Sequence, residues 1–237
     1  MKLTKTLPPP WNRTLLVSTH AYRRYWIHSL GKIHGEMLTA IQRWVQPGAV
    51  VWDIGANMGV FAFASAFCAG VSGKVYAFEA DLDCASFIEH SQRWKLAEEA
   101  PVTIFPIAVA DTTGPVTFEI STYRSAASAI EGFGRFSGKG GIRNVPAFAI
   151  DDLAESYASP ALLKIDVEGA ENLVLQGARK TIERHRPLLF VECSGSELGV
   201  ETAKLFRSLG YEWKPWLSDG AFSQEGVPGG DLVARAI

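Results

Sequence analysis

Short apolar runs that alternate with helical segments are the feature that most constrains the fold of this chain. The run Ala49-Val50-Val51-Trp52 is continuous, as expected for a strand that is buried on both faces of a parallel sheet. Segments with helical spacing of apolar residues separate it from similar runs, which are Lys74–Phe78, Val102–Ile107, Leu162–Ile165 and Leu188–Val191. This alternation predicts an α/β fold with a doubly wound, Rossmann-like and mostly parallel sheet.

The chain of 237 residues fits one globular domain with additions. We predict an amino-terminal extension and cap helix over residues 1–45, where the triple proline at 8–10 ends a tail and a helix from Glu36 stops at Pro47-Gly48. The core domain is predicted over 46–237, with an insertion at about 112–152 that contains a hairpin and a glycine-rich stretch. Long insertions in compact folds tend to be functional loops.

Composition limits the classes of function and ligand. A formal net charge of −2 shows no basic excess, so we do not predict nucleic-acid binding. No stretch approaches the roughly 20 apolar residues of a membrane span, and the basic start has no apolar run behind it to form a signal peptide. Cys68, Cys84 and Cys193 have no metal-ligand spacing and no histidine pair has zinc spacing, so we expect buried thiols, a cytoplasmic protein and no metal site.

Acidic residues follow several of the predicted strands. In open α/β sheets the ligand lies at the carboxyl ends of the strands, so these positions are the first to inspect. An unpaired carboxylate in such a half-buried place is costly, and something must satisfy it. The positions at or near strand ends are Asp53, Glu79, Asp111, Asp166 and Glu192.

The turn after Asp53 reads Gly55-Ala56-Asn57-Met58-Gly59, and its glycines allow the backbone to approach a ligand closely. A dinucleotide loop would read G-x-G-x-x-G and hold a pyrophosphate, but here Asn57 replaces the middle glycine and an acid precedes the turn. A carboxylate repels pyrophosphate and suits the ammonium and sulfonium groups of S-adenosyl-L-methionine. Glu79 suits the ribose hydroxyls of either cofactor, so a nicotinamide-dependent oxidoreductase on the same fold remains the alternative.

A second motif, Lys164-Ile165-Asp166-Val167-Glu168-Gly169-Ala170-Glu171, follows the fourth strand. Strand alternation places Lys164 and Asp166 on the same face. The two glutamates fall near a helix amino terminus, where capping and dipole compensation explain them as well as a catalytic role does. Asp166 is expected to face the ligand crevice, where it could orient or deprotonate a substrate hydroxyl.

Together these motifs resemble the FkbM-type methyltransferase family. The resemblance runs from about Glu36 to Glu192 and consists of D-x-G-A-N-x-G, an acid at the next strand end, L-K-I-D-V-E-G-A-E and a later R-P-x-x-x-x-E. It implies a class I methyltransferase fold, with a seven-stranded sheet and an antiparallel last strand. It also implies transfer of a methyl group from S-adenosyl-L-methionine to a hydroxyl of a sugar, polysaccharide or other natural-product acceptor.

The resemblance and the residue patterns lead to one predicted site. Asp166 is the predicted catalytic residue, supported by Glu168 or Glu192, and a divalent cation bound by these acids is an open alternative. Backbone at Ala108 and Val109 is predicted to contact adenine. The predicted cofactor-binding residues are Glu36, Asp53, Gly55, Ala56, Asn57, Gly59, Glu79, Ala108, Val109 and Asp166.

Other interpretations stay open at this stage. His34 is either a base or a packed side chain. Basic residues in the insertion either hold an anionic acceptor or belong to a solvated loop; they are Arg124, Arg135, Lys139 and Arg143. A protein that binds the cofactor without catalysis would show the same first motif.

Overall fold

The computed structural model describes residues 2–18, 24–120, 128–133, 141–193, 196–227 and 229–237. The chain begins with two antiparallel strands, β1 (Lys2–Thr6) and β2 (Thr14–Ser18). Much of the segment predicted as a tail is therefore a strand, because β1 pairs with β2, whose alternate residues are buried as in a strand with one face against the core. Two helices follow, α1 (Arg24–Ile27) and α2 (Leu30–Trp44).

The first half of the main sheet agrees closely with the apolar runs. Its elements are β3 (Val50–Ile54), α3 (Val60–Ala69), β4 (Lys74–Phe78), α4 (Leu82–Ser91) and β5 (Val102–Phe105). Strand β5 ends at Phe105, two residues before the predicted end at Ile107. The chain turns there, because the backbone N–H of Ile107 donates to the carbonyl of Phe105.

The insertion forms a separate four-stranded sheet. Its strands are β6 (Ala108–Ala110), β7 (Gly114–Glu119), β8 (Ala129–Ile130) and β9 (Ile142–Ala149), in the order β6-β9-β7-β8. Asp111 follows β6 and is exposed. The prediction that Asp111 lies at the ligand crevice is therefore wrong, because its strand belongs to the insertion sheet and not to the main sheet.

The second half of the main sheet contains more elements than predicted. They are α5 (Ile150–Leu153), β10 (Leu162–Ile165), α6 (Glu171–Gly177), α7 (Arg179–His185), β11 (Leu188–Cys193), α8 (Ser196–Ser208), β12 (Tyr211–Pro215) and β13 (Gly230–Ala236). The single helix predicted after β10 is divided at Ala178. There the Asp151 carboxylate accepts the Thr181 backbone N–H at 2.7 Å and so starts a new helix.

The main sheet has the predicted class I methyltransferase topology. Its seven strands lie in the order β12-β13-β11-β10-β3-β4-β5, and β13 runs antiparallel to both of its neighbours. Apolar cores cover both faces of the sheet. Within the described ranges, no helix is long and apolar enough to cross a membrane.

Candidate active site

The carboxyl ends of the central strands open into a cavity of about 260 Å³. Its walls come from α2, the turn after β3, the insertion sheet, and the loops after β4, β10 and β11. Three predicted site residues do not line it: Glu36 is exposed on α2, while Asp53 and Gly59 lie behind the wall. The predicted residues that line it are Gly55, Ala56, Asn57, Glu79, Ala108, Val109, Asp166, Glu168 and Glu192.

The glycine turn brings β3 against the end of β10. Gly55 has φ +76°, and a Cβ atom there would lie 1.9 Å from the carbonyl oxygen of Asp166, so only glycine fits. Asn57 also has a positive φ, of 53°, a conformation that asparagine tolerates better than most residues. The turn thereby exposes backbone to the cavity.

Glu79 joins the glycine turn to the end of β4. One of its carboxylate oxygens accepts the Asn57 backbone N–H at 2.6 Å, and the other accepts that of Asp81 at 2.8 Å. Burial raises the pKa of Glu79 to about 7, although both hydrogen bonds oppose the shift. A carboxylate oxygen can accept more than one hydrogen bond, so Glu79 can still bind hydroxyl groups in the cavity.

Lys164 forms the charged floor of the cavity. Its Nζ atom lies 3.0 Å from Asp53 Oδ1 and 3.4 Å from Asp166 Oδ2, and it donates to the Gly55 carbonyl at 2.7 Å. Two carboxylates and one carbonyl therefore surround the ammonium group. Burial opposes the charge of Lys164, but Asp53 and Asp166 outweigh it and raise its pKa.

Asp53 pairs with Lys164 and not, as the sequence had led us to expect, with a cationic ligand. Its side chain is fully buried, and it faces Lys164 across the neighbouring strands β3 and β10, where these residues are paired in register. The carboxylate that was expected to face a cationic ligand thus holds a lysine in this structure. Any influence of Asp53 on the cavity passes through Lys164.

Asp166 and Glu192 are neighbouring carboxyl groups in the cavity wall, because each follows one residue of the pair Ile165–Val191 in the parallel strands β10 and β11. The Asp166 side chain is 37% exposed, and Glu192 is hydrogen bonded to it. Burial and the adjacent Asp166 raise the pKa of Glu192 to about 9, whereas Lys164 and this hydrogen bond outweigh burial and lower the pKa of Asp166. Near neutral pH, protonated Glu192 therefore donates to ionised Asp166, which stays open to the cavity.

Asp231 lies next to Glu192 and was not predicted from the sequence as a site residue. It is the partner of Glu192 in the antiparallel register of β11 and β13. Burial, and next the charge of Asp166, raise the pKa of Asp231 to about 6. The signal that could have found it was the register of the last strand, which the sequence does not specify.

His34 and Tyr25 close the cavity from the amino-terminal side. The Tyr25 hydroxyl lies 2.9 Å from His34 Nε2, and both residues line the cavity. His34 interrupts α2 with φ −120° and ψ 19°. Burial lowers its pKa to about 4, against the opposing charge of Asp166, so the imidazole is neutral. Tyr25 lies in the predicted amino-terminal extension, and the sequence did not indicate it as a site residue.

Glu168 and Glu171, the two glutamates after β10, have different surroundings. Glu168, with φ 54°, lines the cavity. Glu171 is fully buried, and its Oε1 accepts the backbone N–H groups of Val167 and Gly169, each at 3.1 Å. Glu171 therefore stabilises the loop that precedes α6, because the N–H groups that it accepts lie before the helix begins.

The predicted basic residues do not contribute to the described wall. Arg143 is exposed on β9 and does not line the cavity, while Arg124, Arg135 and Lys139 lie outside the described residues. Lys164 is the one Lys or Arg among the described lining residues. In the same part of the chain, no group of three or more His, Cys, Asp or Glu side chains could hold a metal ion.

Comparison with known proteins finds methyltransferases. The family model for the methyltransferase FkbM domain matches residues 53–213, whereas no curated protein matches. A methyltransferase FkbM from Methylobacillus flagellatus is 18% identical with a TM-score of 0.52, over 78% of this chain but only 43% of its own. A putative rRNA-methylase from Clostridium thermocellum is 11% identical with a TM-score of 0.51, over 85% of this chain and 93% of its own. A putative transferase from Pyrococcus horikoshii is 9% identical with a TM-score of 0.54, over 99% of this chain and 70% of its own.

Proposed function

Because this chain belongs to the FkbM methyltransferase domain family and its cofactor is S-adenosyl-L-methionine, we propose that it methylates a hydroxyl group of a neutral sugar, polysaccharide or other natural-product acceptor. The observation that carries the proposal is that Asp166 and Glu192 lie side by side in the cavity wall, at the ends of the adjacent parallel strands β10 and β11. Such a pair presents an ionised oxygen that can accept the hydrogen bond of a hydroxyl. The family match gives no support to the nicotinamide alternative.

The residues around the glycine turn suit the cofactor. The backbone of Gly55, Ala56 and Asn57 would hold its amino-acid part, Glu79 would accept hydrogen bonds from its ribose hydroxyls, and backbone at Ala108 and Val109 would contact adenine. When bound, S-adenosyl-L-methionine supplies an electrophilic methyl group on a sulfonium. We assign Asp53 an indirect role, since it anchors Lys164. Glu36 is left out because it is exposed and outside the cavity lining.

Asp166 is the proposed acceptor for the proton of the substrate hydroxyl. Glu192 donates a hydrogen bond to it and orients its carboxylate, while Lys164 keeps it ionised. The weakly basic Asp166 becomes an adequate acceptor as the hydroxyl oxygen is alkylated, because that oxygen then becomes strongly acidic. The larger part of the rate enhancement comes from holding the two reactants in position.

The charges of the wall favour a neutral acceptor. Asp166 and Glu168 line the cavity, and the ammonium of Lys164 already has three partners. A phosphate or carboxylate on the acceptor would therefore meet like charge without a compensating cation from the described wall. The neutral His34, fixed by Tyr25, can instead hydrogen bond to a second hydroxyl of the acceptor.

The proposal is tested with the purified chain, S-adenosyl-L-methionine and a panel of methyl glycosides, polyols, sugar phosphates and amino sugars. Formation of S-adenosyl-L-homocysteine and the mass of the product report methyl transfer. With an acceptor in hand, Asp166→Asn should lower kcat by about 10²- to 10⁴-fold while calorimetry still detects binding of S-adenosyl-L-homocysteine. Asp111→Asn, at an exposed position away from the cavity, is the matched control and should leave kcat unchanged.

Three outcomes contradict the proposal in different ways. Undiminished transfer by Asp166→Asn would remove that residue from catalysis. Transfer to sugar phosphates or amines, but not to neutral hydroxyl compounds, would show that the acceptor class is wrong. Saturable cofactor binding without transfer to any compound of the panel would favour the non-catalytic alternative.

A further inference from the structure

We infer that the insertion sheet forms the wall that encloses the adenine of the cofactor, and that Phe118, Ser128 and Ile130 make the contacts. All three residues line the cavity. This inference rests on the proposed function in one respect, namely the assignment of Glu79 to the ribose hydroxyls. It gives the insertion a role at the cofactor, whereas the sequence alone suggested a role at the acceptor.

The covalent structure of the cofactor sets the direction in which adenine must extend. Adenine is attached to C1′ of the ribose and the sulfur-bearing carbon to C4′, so they extend from the two ends of the ring edge that carries the hydroxyl groups. If the ribose lies on Glu79 and the reacting end points toward Asp166, the base must extend away from Asp166. In the main sheet β5 lies on the side of β4 opposite to that of β3 and β10, and the lining residues 107–109 follow β5. Ala80 and Ala108 share a cluster with Phe118 and Ile130, so the insertion residues line the cavity on this side.

Two of the insertion residues form an apolar surface of defined geometry. Phe118 on β7 and Ile130 on β8 are directly opposite each other in an antiparallel register, so their side chains point to the same face of the sheet. Phe118 is buried in a small cluster with Ala80 and Ala108, and Ile130 packs against that cluster. The surface that adenine would contact is therefore packed beside the end of β4.

A polar chain connects the same surface to the ribose site. The Ser128 hydroxyl lies 3.3 Å from Asp81 Oδ2, and the backbone N–H of Asp81 donates to Glu79 at 2.8 Å. Asp81 also caps α4 through the N–H of Asp83, at 2.9 Å. Ser128 can both donate and accept hydrogen bonds, which suits the adenine edge because it carries an amino group and ring nitrogens.

The insertion also touches the other end of the site. A Cβ atom on Gly169 would lie 2.3 Å from the carbonyl oxygen of Phe133, so the loop after β10 packs closely against the chain that follows β8. The insertion therefore contacts both the adenine side of the cavity and the loop after β10. Binding of an adenosine compound should for this reason stabilise the described part of the insertion.

Three ligands separate the parts of the cofactor in a calorimetric test. S-adenosyl-L-homocysteine contains every part except the methyl group, 5′-methylthioadenosine lacks the amino acid, and S-ribosyl-L-homocysteine lacks adenine. Ile130→Ala should weaken binding of the first two by a similar factor, about tenfold for a lost apolar contact of this size, and leave the third unchanged. Val116→Ala is the matched control, because Val116 packs on the same cluster but does not line the cavity.

The failure of this inference can be distinguished from failure of the cofactor assignment. Unchanged binding of all three ligands by Ile130→Ala, or equal weakening of S-ribosyl-L-homocysteine, would overturn the adenine contact. Glu79→Gln should weaken all three ligands, since each contains ribose, and no effect of that variant would overturn the assignment of Glu79. Hydrogen exchange gives a second readout: 5′-methylthioadenosine should protect the amides of Ala129 and Ile130, and S-ribosyl-L-homocysteine should not.

Discussion

Two buried ion pairs in this chain have the same length but different surroundings. Arg13–Glu99 and Lys164–Asp53 each have a nitrogen–oxygen distance of 3.0 Å. The Arg13 guanidinium also donates to the carbonyls of Thr14 and Ser91, so this pair joins the amino-terminal hairpin to α4. Lys164 instead has a second carboxylate, Asp166, that is open to the cavity.

The difference shows how a structural pair can be told from a functional one. Removing charges from water costs several kcal/mol per ion, and pairing offsets that cost only where the geometry is good. At Arg13 one cation meets one anion away from the cavity, so the charges balance within the core. At Lys164 the carboxylates outnumber the cation, and the surplus negative charge is held where a substrate can reach it.

The largest effect is expected when the second pair is broken. Lys164→Met leaves the Asp53 carboxylate buried without a cation, so the free energy of unfolding should fall by about 3–5 kcal/mol and methyl transfer should be lost. Urea denaturation and a turnover assay measure the two effects. The double variant Asp53→Asn/Lys164→Met should recover stability but not activity. If it is no more stable than Lys164→Met, the unpaired Asp53 charge is not the cause.

Breaking the first pair should affect stability alone. Arg13→Met leaves Glu99 buried, but the Leu96 backbone N–H still donates to that carboxylate at 3.1 Å. The expected loss is therefore at the lower end of the same range, about 3 kcal/mol, with the affinity for S-adenosyl-L-homocysteine unchanged under conditions where the variant is folded. A clear decrease in that affinity would remove the distinction between the two pairs. Arg13→Met/Glu99→Leu, which removes both charges, is the control.

The parts of this comparison that could be predicted from sequence are the local ones. The apolar run of β4 predicted its bounds as observed, and strand alternation correctly placed Lys164 and Asp166 together. The pairing of Lys164 with Asp53, and of Glu192 with Asp231, depends on the register between strands that are distant in the sequence. Burial on both faces removes the alternating pattern that would otherwise help to specify that register.

The insertion shows the same limit in another form. Its short strands pair with each other and not with the main sheet, so Asp111, although it follows a strand, lies away from the ligand crevice. The sequence indicated a hairpin there, but no local pattern specified the sheet to which its strands belong. The contact of Ser128 with Asp81 depends on that tertiary arrangement and could not be predicted.

The carboxylate of Glu79 accepts its hydrogen bonds from the backbone N–H groups of Asn57 and Asp81. Its pKa of about 7 means that it gains negative charge as the pH rises from about 6 to 8, and the ionised form is the better acceptor for two ribose hydroxyls. Affinity for 5′-methylthioadenosine should therefore increase several-fold over this range. Calorimetry at both pH values tests this, and Glu79→Gln should abolish the pH dependence. An equal pH dependence in Glu79→Gln would assign it to another group.

The smallest effect concerns Glu192, and it sharpens the comparison because this carboxyl group beside Asp166 is expected to titrate above neutral pH. The pKa of Glu192 is raised from 4.5 to about 9, so between these values the folded state binds more protons than the unfolded state. Stability should therefore decrease as the pH rises through this window, by less than the roughly 1.4 kcal/mol per pH unit that one group can contribute. Glu79 and Asp231 have raised pKa values of about 7 and about 6, so they are mostly ionised above about pH 7.5. Burial also raises the pKa of Cys68, and that of Cys193 to about 11, but their contribution to the slope is common to the wild type and to Glu192→Gln. Urea denaturation of Glu192→Gln should show a flatter dependence there than the wild type, while Asp111→Asn should keep the wild-type slope. A wild-type slope in Glu192→Gln would mean that Glu192 is already ionised in the folded protein. The conclusion that Glu192 is protonated beside Asp166 would then be wrong.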